Sequence, residues 1–171
     1  MPAELATSLI ATEAERLMQA EGLVRGFCGW HIAPSRTVTA AKIRGSGDTT
    51  LLLPSLYVTA VSDVVDDEAA LTVEDDYIWS AAGVLTRAGY WTAALVTVTY
   101  THGYATVPPE VTAVVQAVAQ RAVDNPKSLT RKTVGPFTDA YSATAPGQVG
   151  TLALLESEKA ILSRYALPAR P

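Results

Sequence analysis

Cys28 and His31 stand three residues apart in Phe27-Cys28-Gly29-Trp30-His31, a C-x-x-H spacing that can give a zinc ion two ligands. A zinc site takes about four, and the one other histidine of the chain is His102. Nothing sets carboxylates at ligand spacing around the pair. Cys28, Trp30 and His31 therefore read as packing groups beneath a first helix, and no metal or other cofactor is expected. His102 follows a strand-like run, in Thr101-His102-Gly103-Tyr104, where a catalytic base would be well placed. No G-x-S-x-G elbow accompanies it, and Cys28 has no local nucleophile signature. A small hydrolase using His102 or Cys28 is thus a minor reading, and a histidine held by hydrogen bonds at a strand-to-turn junction is the expected one. Gly45-Ser46-Gly47 lacks the helix and lysine that follow a phosphate loop, and reads as a turn. Trp30, Trp79 and Trp91 have no basic surround for stacking on nucleic acid and read as core.

Acidic residues crowd one short span: Asp63, Asp66, Asp67, Glu68, Glu74, Asp75 and Asp76. Their order does not match the spaced ligands of an EF-hand loop. The expected role is a solvated, repulsive turn between two strands. Lys127, Arg131 and Lys132 form a basic group far away in sequence. Asp66, Asp67 and Glu68 on one copy and these cations on the next suit a head-to-tail contact, which closes into a ring where the rotation permits.

The element that positions these groups is Val96–Arg121, a strand, a glycine turn and a helix with little slack between them. Residues alternate through Tyr100 as a two-faced strand does. Gly103 offers the positive φ of a sharp exit, and Pro108-Pro109 presets a helix start. From there Val111, Val114, Val115, Val118, Ala119 and Ala122 fall on one helical face. Upstream, Ala3–Glu21 reads as a first helix stopped at Gly22. Residues 37–104 read as a β-rich insertion. Short strands are expected at 37–44, 49–53, 57–65, 71–73, 77–79, 83–86 and 95–101, with turn residues between them, as in a small antiparallel sheet or partial barrel. Asp124-Asn125-Pro126 closes the central helix. Residues 126–150, rich in Ser, Thr, Gly, Pro and Ala, read as a long loop of a kind that is ordered by a partner or functional. Residues 151–171 read as a last helix, Leu152–Tyr165, N-capped by Thr151, with a proline-rich tail. Its face joins Leu154, Leu155, Ile161, Leu162 and Tyr165, with Glu158 the one charged interruption.

A length of 171 residues suits a single domain with a real core, and a hydrophobic content of 49% excludes a disordered chain. The charged content of 18% is low, which points to surface hidden by partners. A net charge of −4 argues against gripping DNA by neutralising phosphates. The single cysteine excludes an internal disulfide framework and suits a reducing compartment. The start carries acids where a signal peptide carries bases, and no apolar run reaches the length of a membrane span. A soluble, oligomer-prone protein without a membrane partner is expected.

Taken in order, the N-terminal helix, CGWHIAPS, LLLPSLYVTAV, DDYIWSAAGVLTRAG, VTVTYTHGYATVPPEV with its helix, and VGPFTDAYS before a C-terminal helix resemble one family. These segments look like the head-to-tail adaptor (connector) proteins of long-tailed, siphovirus-type phages, especially those of actinobacteria. The likeness spans nearly the whole chain, and V-x-V-x-Y-x-H-G-Y…P-P-E-V carries most of it. It implies an α+β fold for residues 1–171, a small bundle of N-terminal, central and C-terminal helices with the β-rich region inserted. It implies a virion protein without enzymatic activity, made in the host cytoplasm. Such a protein forms a ring, a dodecamer in the family, beneath the portal protein, and offers a surface to the next neck or tail protein. Genome DNA passes through the lumen without specific binding. The loop at Gly135, Pro136 and Phe137, with Leu155, Ile161, Leu162 and Tyr165 of the last helix, is the expected portal-facing surface. A stopper or tail-completion protein is the neighbouring alternative.

Overall fold

The computed structural model describes residues 12–124, 131–134, 137–140 and 152–168, the pieces at 131–134 and 137–140 by backbone alone. In chain order the elements are α1 (Glu13–Cys28), β1 (Arg36–Arg44), β2 (Thr50–Leu52), β3 (Val58–Asp66), β4 (Ala69–Leu71), β5 (Tyr77–Trp79), β6 (Val84–Arg87), β7 (Leu95–His102), α2 (Pro109–Asp124), β8 (Arg131–Val134), β9 (Phe137–Ala140), α3 (Glu156–Leu162) and a closing 3-10 turn, Ser163–Tyr165. The fold class is α+β, as expected from the sequence. The chain divides into two compact units, Met1–Phe27 with Pro109–Arg164, and Cys28–Pro108 with Tyr165–Pro171.

In the first unit, Thr12 and Glu15 start α1 as a capping box. Glu15 N–H donates to Thr12 Oγ1 at 3.3 Å, and Thr12 N–H donates to the Glu15 carboxylate at 2.6 Å. The helix does not stop at Gly22. It runs through Gly22 and Gly26 to Cys28, and the left-handed cap is Gly29, at φ 75°. Ala20, Val24 and Cys28, four apart, are all buried, and that burial outweighs the roughly 1 kcal/mol cost of a glycine inside a helix. Residues 3–11 of the expected first helix lie outside the described residues. In α2, Pro109 opens the helix, and the buried face is Val111, Val114, Val115, Val118, Ala119 and Ala122, every position the spacing marks. The last helix starts at Glu156 rather than Leu152. The Glu158 carboxylate accepts the Leu155 N–H at 2.8 Å, which fixes the first turn there. The Ala153 carbonyl is meanwhile taken by Arg121 Nη2 at 3.1 Å and does not join a helical ladder. Thr151 lies outside the described residues. Within 126–150, β8 and β9 form an antiparallel ladder from Arg131↔Ala140 to Val134↔Phe137.

The second unit holds a four-stranded antiparallel sheet, order β1-β7-β3-β4, and a three-stranded one, order β2-β6-β5. β7 alternates strictly, burying Val96, Val98, Tyr100 and His102. With Ile43, Leu51, Leu53, Val58, Val64, Tyr77, Leu85 and Trp91, its apolar members form one core cluster. Asp67 and Glu68 make the two-residue β3–β4 tip, at φ 50° and 64°. Asp66 departs from the solvated turn expected for it. It is only 4% exposed, and its carboxylate accepts from Arg87 Nη1 at 2.9 Å and Thr92 Oγ1 at 2.6 Å. Arg87 in turn lies over the Trp91 ring, 5.2 Å from its centroid.

Asp66→Ala strips the Arg87 guanidinium and the Thr92 hydroxyl of their buried acceptor. The expected loss of unfolding free energy is about 2–4 kcal/mol by urea denaturation, against under about 0.5 kcal/mol for Asp75→Ala on the exposed surface. Equal effects of the two would remove Asp66 from the core.

Candidate functional site

The sequence's chemistry converges on one corner of the second unit, where β7 ends. His102 has Arg36 of β1 as register partner on one side and Val58 of β3 on the other. Arg36 Nε donates to His102 Nε2 at 3.3 Å. That occupies the ring's one lone pair, so the ring proton sits on Nδ1, which meets no hydrogen-bond partner. His102 is 2% exposed, with Trp30, His31 and Tyr100 around it at centroid distances of 6.2, 5.9 and 5.1 Å. Burial, then the Arg36 and His31 charges, push its pKa down to about 4. A neutral imidazole with its lone pair already engaged is not set as a general base near pH 7.

The rest of the corner is packing and backbone. Gly103 sits at φ 98°, and a Cβ there would lie 3.0 Å from the Pro34 carbonyl oxygen and 3.3 Å from that of Ile32. Its N–H donates to Tyr57 O and the Tyr104 N–H to Ile32 O, both at 2.8 Å. Tyr57 and Tyr104 stack at 4.2 Å, and Tyr165 meets Tyr104 edge-on at 6.2 Å. Trp30 Nε1 donates to Tyr165 O at 2.6 Å, and Leu167 N–H to Cys28 O at 2.9 Å. Residues 165–167 are therefore clipped to this corner. His31 Nε2 donates to Pro34 O at 2.6 Å. Cys28 is buried, and burial alone pushes its thiol up to about 11, away from the thiolate that a nucleophile or ligand needs. Among the described residues no group of three or more His, Cys, Asp or Glu side chains gathers as a metal site. Sequence reasoning located His102 but missed Arg36 and the Trp30–Tyr165 clip, whose partners are distant in the chain.

In the first unit Glu158, the charged interruption of the last helix, is buried and paired. Arg121 Nη1 and Nη2 reach its two oxygens at 2.6 and 2.9 Å, a bidentate bridge. An open groove of about 950 Å³ runs between the first turn of α1 and the outer face of α2, lined by Leu17, Ala117, Val123, Gln116 and Gln120 among others. Among the described residues Glu13 is the one titratable side chain in its lining, with no second carboxylate, histidine or cysteine beside it to make an acid–base or nucleophilic pair.

The expected interface residues separate. Gly135, Pro136 and Lys127 lie outside the described residues. Phe137, Arg131 and Lys132 are placed by backbone only, in the β8–β9 ladder. Leu155, Ile161 and Tyr165 are half-buried. Leu162 is fully buried and is a core residue rather than a docking one. Asp67 and Glu68 are exposed at their tip, whereas Asp66 is internal.

No protein-family model matches the sequence, and no curated protein does. Among solved structures, a chain from the virion of a native gene transfer agent particle has TM-score 0.52 at 15% identity, over 100% of this chain and 84% of that one. A chain from the neck of an empty gene transfer agent particle has TM-score 0.49 at 18% identity, over 94% of this chain and 81% of that one. At 15% identity the first is a likeness of fold.

His102 makes stability pH-dependent. Its folded pKa, about 4, lies below its ordinary 6.5, so between those values the unfolded chain binds a proton that the folded chain refuses. Its contribution is complete above pH 6.5 and is lost as pH falls towards 4, by up to about 3 kcal/mol. His102→Gln removes that slope, so urea unfolding at pH 7 and pH 4.5 should show a smaller acid loss in the variant than in wild type. Parallel pH profiles would contradict the assignment.

Proposed function

We propose that this chain is a structural virion protein, a head-to-tail adaptor that forms a ring under the portal and links the DNA-filled capsid to the tail. The observation that carries the reading is the likeness of fold, over the whole chain, to a chain of a gene transfer agent virion. It meets a sequence whose ordered segments resemble phage adaptors and whose His102 and Cys28 are committed to packing and hydrogen bonding. The role needs no catalysis. Its partners are the portal protein, the next neck or tail protein, and further copies of itself, in a dodecamer on the family pattern. A chain of net charge −4 does not grip the DNA that passes through such a lumen. For the portal side the surface is Gly135, Pro136 and Phe137 with the half-buried Leu155, Ile161 and Tyr165. For self-contact, Asp67 and Glu68 remain available to Lys127, Arg131 and Lys132, and Asp66 does not.

The test is direct. Purified protein is added to portal-bearing, tailless capsids and the vertex is imaged by cryo-electron microscopy. A ring of new density against the portal is the expected result. Density one ring further out would make the chain a stopper, and capsids left bare would overturn the neck assignment.

A further inference from the structure

The four-stranded sheet of the second unit has two open edges of opposite charge. One is β1, nine residues long, which pairs only with β7 among the described residues. It carries Lys42 and Arg44, both exposed, and no acid. The other edge is the unpaired part of β3 followed by the three-residue β4. It carries Asp63, Asp67 and Glu68, then Glu74, Asp75 and Asp76 just beyond, all exposed. None of these residues, Lys42 and Arg44 included, forms an ion pair among the described residues. β4 lies three strand spacings from β1, about 14 Å, and β3 two, about 10 Å, both beyond the roughly 8 Å screening length of physiological salt. The two edges cannot neutralise each other within one chain.

We propose that the two edges are a complementary pair whose occupant is a second copy of this chain, with β1 of one copy lying along the β3–β4 edge of the next. An open strand edge offers unpaired backbone groups to any extended segment, and cations and bulges are the usual guards against indiscriminate pairing. β1 has both, with its bulge between Val38 and Ala41 and Ala40 at φ 52°. Here the guards select. Two β1 edges face to face oppose Lys42 and Arg44 to themselves, and two β3–β4 edges oppose acid to acid. Only the head-to-tail arrangement brings unlike charges together. Such a contact is heterologous, leaves one free edge at each end, and continues until its rotation closes it. The inference rests on the ring reading for that closure, and it assigns the ring's basic surface to β1 rather than to the Lys127–Lys132 segment.

Oligomeric state of the full chain, by sedimentation velocity, tests it. Wild type should associate as its concentration approaches about 1 mM in about 20 mM salt, and at least tenfold more weakly in about 0.5 M salt. Lys42→Glu/Arg44→Glu should remain monomeric. Arg16→Glu/Arg25→Glu, the same change of net charge on α1, should associate like wild type. Adding Asp63→Lys, Asp67→Lys, Glu68→Lys and Asp75→Lys to the β1 variant leaves Glu74 and Asp76 against four lysines, so both edges are reversed in sign, and should restore association. Thermal unfolding confirms that each variant is folded. A monomeric wild type, undiminished association of the β1 variant, equal loss in the α1 control, or failure of the variant with both edges reversed to recover would each overturn the proposal. Capsid decoration is read separately. Edge-dependent association without decoration sinks the neck reading alone, and wild-type decoration by the β1 variant sinks the edge contact alone.

Discussion

β7 is paired on both sides, and its alternation cannot slip by one residue without turning Val96, Val98 and Tyr100 out of the core. That constraint fixes the register of β1 and β3 and therefore what happens where the strand ends. The residue that follows Tyr100 by two must also point inward, and it is a histidine. A buried imidazole costs least when neutral and hydrogen-bonded, and Arg36, opposite it in β1, supplies the bond while its own charge discourages protonation. The geometry that makes His102 resemble a catalytic base is the geometry that disarms it. With the corner set, Gly103 turns the chain at φ 98° and, having no Cβ, lets the carbonyls of Ile32 and Pro34 come close, and Tyr57 stacks on Tyr104.

The same logic governs the two buried carboxylates. Asp66 and Glu158 each sit where a charge would be destabilising alone, and each is met by an arginine with additional donors filling the remaining lone pairs. Neither bridge need add much stability relative to an apolar pair of the same shape. Each does specify where a strand or helix begins and ends. Glu158 decides that α3 starts at Glu156, and Asp66 draws the end of β3 under Arg87 and Thr92, leaving Asp67 and Glu68 to turn outside.

What was legible in the sequence is what short-range pattern controls. The six apolar positions of α2 and the strands around Tyr57, Tyr77 and Leu95 follow from period and turn residues, and the structure has them within a residue or two. The β8–β9 ladder lies inside the stretch that reads as a long loop, because four-residue runs such as Arg131–Val134 and Phe137–Ala140 are too short to show a period. What was not legible depends on partners distant in the chain. Nothing near Asp66 announces Arg87, nothing near Glu158 announces Arg121, and Gly22 looks like a stop unless Val24 and Cys28 are known to be buried. The candidate site divides in the same way. His102 as a hydrogen-bonded corner follows from its neighbours, while the identity of its donor, Arg36, is a matter of strand pairing.

Removing Asp66 from the surface changes how the remaining charge is organised. With Asp66 and Glu158 internal, six exposed acids of the second unit belong to the β3–β4 edge and the loop after it, Asp48 stands apart in the turn after β1, and Lys42 and Arg44 lie on the opposite edge. A chain of only 18% charged residues has few charges with which to avoid wrong partners, so their placement matters more than their number. Concentrating each sign on its own edge disfavours two-fold dimers in either sense and favours polar addition of one copy to the next. Polar addition, not two-fold pairing, is the kind of contact from which closed rings are built.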